Sequence, residues 1–352
     1  MFRDLKYLVA YTIPLATLAA ILLNGLFSYA AVIYAFIFIP IVEILVADRH
    51  TEYANEEVNK RRVNPLFDWM LYGNLPITFG LLAFGLWDLA VSQYATYEIV
   101  GKIFSLGVLL GTNGINVAHE LGHRTTTIER TMAKILLCPS LYMHFYIEHN
   151  FGHHKNVSTP EDPATAKRNQ SVYHFWVSSV VGQYRNSWKL QSQLLKNQGR
   201  SFFSLYNDML FYLFFQTAYL IAVYVFLGTT GMLFAIGVAI VSFLLLETIN
   251  YIEHYGLERQ KTASGRYERV QAHHSWNSNH IVGRMVLYEL TRHSDHHFRA
   301  NKKYQILENK PASPQLPYGY PSSMVLSLLP PLWFRKMDAI LDQYQIKPEL
   351  SN

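Results

Sequence analysis

Long apolar runs dominate this chain, separated alternately by short polar turns and by long segments rich in Lys, Arg and His. A helix needs roughly 20 mostly apolar residues to cross the hydrocarbon core of a bilayer. Six stretches meet that need, at about 7–25, 28–47, 69–89, 97–118, 209–227 and 231–252. The second carries one charge, Glu43, and the sixth one, Glu247. The pattern predicts an all-α integral membrane protein with six transmembrane helices. The first run is too long for the apolar part of a secretory signal, and no small-residue cleavage site follows it, so it reads as an anchor. No low-complexity stretch and no long-period repeat is visible.

The polar segments orient these helices. The turns NGLFSYA, DLAVSQYATYE and LGTTG contain neither Lys nor Arg. The segments after the second and fourth helices hold Arg49, Lys60, Arg61, Arg62, Arg124, Lys155, Lys167 and Arg168, and the tail holds Arg259, Lys261, Arg266, Arg299, Lys302 and Lys303. Basic loops stay on the cytoplasmic side. Both termini and the segments 119–208 and 253–352 are therefore expected there, in one membrane-bound domain spanning 1–352. Composition agrees: 16% of the 352 residues are charged, against about 25% in soluble domains. The net charge of +5 gathers on one face, as topology requires. The same face would also suit docking of an acidic partner. The lone cysteine, Cys138, excludes an intrachain disulfide and a Cys-based metal cage.

Candidate chemistry lies in the histidines. "HELGHR", 119–124, contains the H-E-x-x-H pattern of zinc peptidases, with two imidazoles one helical turn apart and Glu120 beside them. Three more groups occur on the same side: His149, His153 and His154 in "EHNFGHH", His254 in "NYIEHYG", and His293, His296 and His297 in "RHSDHH". On a helix, His149 and His153 are expected to share a face, with His154 turned about 100° away. Each doublet can then serve two metals. A catalytic zinc uses three protein ligands and one open position, so nine clustered imidazoles exceed one zinc site. Two metals with four or five ligands each use all nine. His50, His144, His174 and His280 have no ligand-spaced partner and read as interfacial or structural. His274, beside His273, is expected to support a ligand from behind. Glu120, Glu148, Glu253 and Asp295 flank the ligands and are expected to orient imidazole N–H groups.

The ordered set HELGHR, EHNFGHHKNVSTPEDPATA, NYIEHYGLERQ, HHSWNSNHI and LTRHSDHHFRANKKYQIL resembles the bacterial alkane 1-monooxygenases. These are integral-membrane non-haem di-iron enzymes related to membrane fatty-acid desaturases and hydroxylases. The three His boxes mark only the superfamily, whereas NYIEHYG and TPEDPATA are more specific to the alkane hydroxylases. The similarity runs from the fourth helix to about Tyr320. The resemblance implies a cytoplasmic His-rich di-iron cap. Its ligands would be His119, His123, His149, His153, His154, His254, His293, His296 and His297. It further implies terminal hydroxylation of n-alkanes with O₂ and electrons from reduced rubredoxin, itself reduced by a rubredoxin reductase, at a bacterial inner membrane. The chain carries no Cys pair and no flavin or nicotinamide motif, so the electron donor is expected to be external. Lys155, Lys167, Arg168, Arg259, Lys302 and Lys303 are its expected docking face.

An alkane dissolves in lipid, so a channel from the bilayer is expected to end under the histidines. Tyr29, Phe36, Pro40 and Glu43 are spaced as one stripe on the second helix, and Tyr29 and Phe36 are the candidate channel residues. Glu43 is expected to snorkel or to be paired. Two other readings stay open: an acyl-lipid desaturase or hydroxylase of the same superfamily, and more remotely a membrane zinc peptidase. Charges within the spans are too few for a metal transporter, and no nucleic-acid partner is expected.

Overall fold

The computed structural model describes residues 2–46 and 52–346. Arg49 and His50 lie outside the described residues. The regular elements of the described residues are all helical, apart from two isolated β-bridges, Lys261 with Tyr267 and Asn277 with Gln315. The principal helices are α1 (Asp4–Leu22), α2 (Gly25–Leu45), α3 (Pro65–Val91), α4 (Thr96–Gly122), α5 (Val172–Asn197), α6 (Asp208–His254), α7 (His293–Phe298) and α8 (Tyr320–Ser327).

Five of these, α1 to α4 and α6, are long and apolar enough to cross a membrane. The sequence predicts six such helices; the stretches 209–227 and 231–252 are joined in the 47 residues of α6. The join is not straight. Gly228 has φ 69° and ψ −171°, a conformation that only glycine adopts readily. Gln216 accepts a hydrogen bond from Met143 N, while the Phe243 ring stacks on neighbouring Tyr142 at 5.1 Å. A continuous helix would hold residues 216 and 243 about 40 Å apart at 1.5 Å per residue. The chain therefore doubles back at Gly228, and α6 is two antiparallel arms.

Packing is close where side chains are small. A methyl group on Gly107 of α4 would strike Val241 of α6, and one on Gly101 would strike Ser28 and Tyr29 of α2. Such positions let membrane helices approach backbone to backbone. Regular winding is also broken where it matters. Pro40 has no N–H to offer the carbonyl of residue 36, and the preceding turn, Tyr34–Phe38, widens to a π-helix. A second π turn, Leu110–Asn116, sits in α4 just before its histidines.

The segment between the membrane helices and α7 is held by a buried charge cluster. Glu289 accepts hydrogen bonds from Arg284 Nε at 2.7 Å, Tyr7 Oη at 2.8 Å and Lys6 Nζ at 3.0 Å, and Arg292 Nε lies 3.5 Å away. This ties the start of α1 to the chain entering α7. Burial opposes ionisation of Glu289, but Arg284, Lys6 and Arg292 hold its pKa at about 2. The carboxylate thus contributes stability that is complete above its unfolded value near 4.3 and is lost as pH falls through about 2. Removing one partner of a buried ion cluster strands the others, at a cost of about 3–5 kcal/mol. Glu289→Gln is therefore expected to lower the thermal midpoint in detergent markedly at pH 7; an unchanged midpoint would show that the cluster is solvated.

Candidate metal centre

Four elements deliver the nine clustered imidazoles. The end of α4 carries His119, with His123 just beyond it. A π-helical turn, Glu148–His153, carries His149 and His153, and His154 follows. The second arm of α6 ends on His254, and α7 carries His293, His296 and His297. Seven of the rings are buried; His123 and His154 are partly buried.

The structure sorts all nine into two adjoining groups. One is His119, His123, His149, His154 and His296; the other is His153, His254, His293 and His297. In the first, Nε2–Nε2 separations are 3.1 Å for His119–His296, 3.0 Å for His123–His149, 3.0 Å for His149–His154 and 3.2 Å for His154–His296. In the second they are 3.1 Å for His254–His293 and 3.2 Å for His153–His297. Imidazole nitrogens bound about 2.0–2.1 Å from one ion, at angles between right and tetrahedral, lie roughly 2.9–3.4 Å apart. Each group thus has the spacing of a coordination shell, and imidazole suits Zn, Cu, Fe and Ni. Nδ1 of His293 and His297 has no hydrogen-bond partner among the described residues, and it is their Nε2 atoms that meet neighbouring imidazoles.

The doublets split as the spacing predicts: His154 and His296 face one group, His153 and His297 the other. His149 and His153 do lie side by side, with their rings stacked 5.3 Å apart, yet they enter different groups. His149 joins His154, five residues on, because the intervening turn is π-helical and repeats i to i+5.

The flanking groups divide unequally. Asp162 Oδ2 meets His153 Nδ1 at 2.9 Å and is itself held by Thr165 Oγ1 and Ala164 N. A carboxylate behind an imidazole fixes its tautomer and orientation. Sequence analysis did not single out Asp162; its only trace there is the stretch TPEDPATA. Glu253 Oε2 lies 3.2 Å from His293 Nε2, and Tyr320 Oη donates to its other oxygen at 2.7 Å. The expectation that Glu120, Glu148, Asp295 and His274 orient imidazoles meets different contacts. Glu120 forms an ion pair with Arg124 at 2.9 Å and accepts from Tyr304 N at 3.2 Å. Glu148 accepts from Asn186 at 3.1 Å. Asp295 is bound by Lys302 at 2.7 Å and Lys310 at 3.1 Å. None of these hydrogen bonds reaches a clustered imidazole. His274 Nδ1 accepts from Gln271 N, which leaves Nε2 as donor to Glu268 at 3.2 Å. With both ring nitrogens so engaged, the small cluster Glu268, His273 and His274 reads as a hydrogen-bonded turn.

Among the remaining histidines, His144 is buried against Tyr142, and burial pushes its pKa down to about 3. His174 is exposed on α5, and His280 pairs with Ser278 at 2.9 Å.

The peptidase pattern loses its chemistry in this setting. His119 and His123 enter a five-imidazole group, and the Glu120 carboxylate turns to Arg124 instead of a water position. A narrow apolar cleft lined by Phe36, Val108, Leu245, Ile249, Tyr320 and Met324 is linked to the imidazole groups through Tyr320, which donates to Glu253 beside His293. Phe36, expected on the channel, lines this cleft. Tyr29 is not on the cleft; it packs against Gly101 at the opposite end of α2.

Residues 99–322 match the family model described as fatty acid desaturase. The chain is 36% identical over 299 residues to an alkane 1-monooxygenase of Pseudomonas putida, covering 85% of this chain and 74% of that protein. It is 38% identical over 300 residues to an alkane 1-monooxygenase of Ectopseudomonas oleovorans, with the same two shares, 85% and 74%. It is also 31% identical over 290 residues to the xylene/toluene monooxygenase hydroxylase component XylM of Pseudomonas putida, covering 79% and 75%.

Burial, reinforced by neighbouring imidazoles, holds the pKa of His123, His149, His154, His293, His296 and His297 well below 6.5. These rings are neutral at pH 7, the form that binds a metal. His153 is the exception: burial opposes its charge, but Asp162 raises its pKa. For the six depressed rings the unfolded chain binds more protons once pH falls below about 6.5. Their contribution to stability is complete above that value and is lost below it. Metal-stripped protein in detergent is therefore expected to melt at a clearly lower temperature at pH 5.5 than at pH 7.5. A flat profile would mean that the rings already take up protons in the folded state.

Proposed function

The chain belongs to the fatty acid desaturase family and, within it, to the alkane 1-monooxygenases; on that premise we propose that it hydroxylates n-alkanes at the terminal methyl, using O₂ and electrons from reduced rubredoxin. The reading is carried by the two imidazole groups together with an apolar cleft whose lining residue Tyr320 donates to Glu253 beside His293.

The residues present fit two irons. The five-imidazole group would hold one and the four-imidazole group the other, with Asp162 fixing His153 from behind. Bound iron supplies redox chemistry with O₂, which a C–H bond lacking any polar handle requires and which zinc cannot provide. The protein's own task is positioning. The cleft side chains offer an alkane no hydrogen bond, so they select by length and width and bring the methyl end toward the imidazoles while excluding water. Phe36 narrows the cleft within α2.

Counting the two arms of α6 separately gives six membrane spans. The Lys and Arg distribution then sets the imidazole groups on the cytoplasmic side of a bacterial inner membrane. Rubredoxin, kept reduced by a rubredoxin reductase, would dock on that side. Several cations of the expected docking face are engaged internally: Arg168 with Asp342, Lys302 with Asp295 and Glu308, and Lys303 with Asp68. Arg62 and Arg299, exposed beside a surface pocket that reaches Asp295, carry no ion pair among the described residues. They are the better candidates for an acidic carrier. The match to a fatty acid desaturase model keeps one alternative, an acyl-lipid desaturase or hydroxylase. Incubating the protein with octane and with an acyl lipid, and identifying products, separates the two.

Purified protein is expected to hold two irons per chain and to convert octane to 1-octanol with O₂ and reduced rubredoxin; stoichiometric zinc would return the peptidase reading. His154→Ala should abolish turnover and lower bound iron, whereas exposed His174→Ala should keep both. Iron retained in full by His154→Ala removes that residue from the ligand set. Phe36→Ala opens the cleft and should shift the preferred alkane to longer chains; an unchanged chain-length profile in well-folded protein would place the substrate elsewhere.

A further inference from the structure

The two imidazole groups are unequal, five against four, and the smaller has a carboxylate at its edge. Glu253 directly precedes His254 at the end of α6, and its side chain is buried. A carboxylate that only orients a ligand meets the ring nitrogen facing away from the metal, as Asp162 meets His153 Nδ1 at 2.9 Å. Glu253 does otherwise. Its Oε2 lies 3.2 Å from His293 Nε2, the nitrogen that also faces His254 Nε2 at 3.1 Å. His293 Nδ1, on the far side of the ring, has no hydrogen-bond partner among the described residues. The Glu253 oxygen is therefore spaced from His293 as the group's own nitrogens are spaced from one another.

Charge points the same way. Neutral imidazoles bring no negative charge, and a buried cation needs compensation. No Lys or Arg forms an ion pair with Glu253 among the described residues. The buried carboxylate thus lacks a cation of its own beside a group that would hold one.

We propose that Glu253 is an oxygen donor to the metal of the four-imidazole group, and that Tyr320 is the positioning residue that holds it there. Tyr320 donates to Glu253 Oε1 at 2.7 Å, leaving Oε2 to face the imidazoles. Tyr320 also lines the apolar cleft, so the carboxylate stands where the cleft meets the metal group. The proposal rests on the di-iron reading above.

The test uses the full chain loaded with ⁵⁷Fe in detergent, read by iron content, Mössbauer spectrum and the rate of iron loss to a chelator. Wild type should hold two irons in two distinguishable environments. Glu253→Gln keeps the shape and removes the donor charge. It should alter one environment, leave the other unchanged, and speed loss of that iron by about 10–100-fold, the usual effect of disturbing a metal's supporting carboxylate. Tyr320→Phe should perturb the same environment by less. Two irons in Glu253→Gln with wild-type spectrum and wild-type loss rate overturn the proposal and leave the di-iron reading standing. Wild type without iron overturns both. If Glu253→Gln does not fold, Tyr320→Phe decides: a wild-type spectrum and loss rate there reject the role given to Glu253.

Discussion

Nine imidazoles must be brought within about one hydrogen-bond length of their neighbours, with most of them kept neutral while doing so. The rest of the structure answers to that requirement. Separations of 3.0–3.2 Å between Nε2 atoms would be repulsive for charged rings, and burial keeps six of those outside the spans unprotonated. Only packed helices hold rings from four separate stretches at such distances. α4 and the second arm of α6 serve as the rigid posts, and their close approach at Gly107 and Val241 sets where His119 and His254 come to rest.

Local winding then sets the fine angles. An α-helix directs residues four apart to one side; a π turn does so for residues five apart. The turn Glu148–His153 therefore sends His149 and His154 to one group and frees His153 for the other, where Asp162 secures it. In α7 the ordinary repeat holds, and His293 and His297 stay together. Two neighbouring shells arise from short motifs because their helical repeats differ.

Charges on the polar side lock this arrangement and do not enter it. Glu289 with Arg284, Arg292 and Lys6 ties α1 to the approach of α7. Arg124 joins Asp68 and Glu120 just outside His123. Asp295 is held by two lysines beside His296. Glu120 and Asp295 sit next to clustered histidines in sequence yet pair with Arg124 and with two lysines. Apolar side chains meanwhile leave a cleft that closes on Tyr320, next to Glu253. Tyr320 thus links the cleft to the imidazole groups through its hydrogen bond to Glu253.

The sequence by itself determined the helical membrane architecture, because crossing hydrocarbon demands long apolar runs. It also singled out the nine histidines, because their spacing along the chain is that of metal ligands, and the structure gathers them into two groups. Tertiary structure decided what periodicity could not. The division into five and four depends on a π turn that ideal helical spacing does not foresee. The fold-back within α6 depends on one glycine, Gly228, with positive φ. The assignment of carboxylates depends on contacts between residues far apart in the chain. Asp162 reached His153, Glu253 reached His293, and Glu120, Glu148 and Asp295 went elsewhere, because a side chain's partner is fixed by the packing of whole helices and not by its neighbours in sequence.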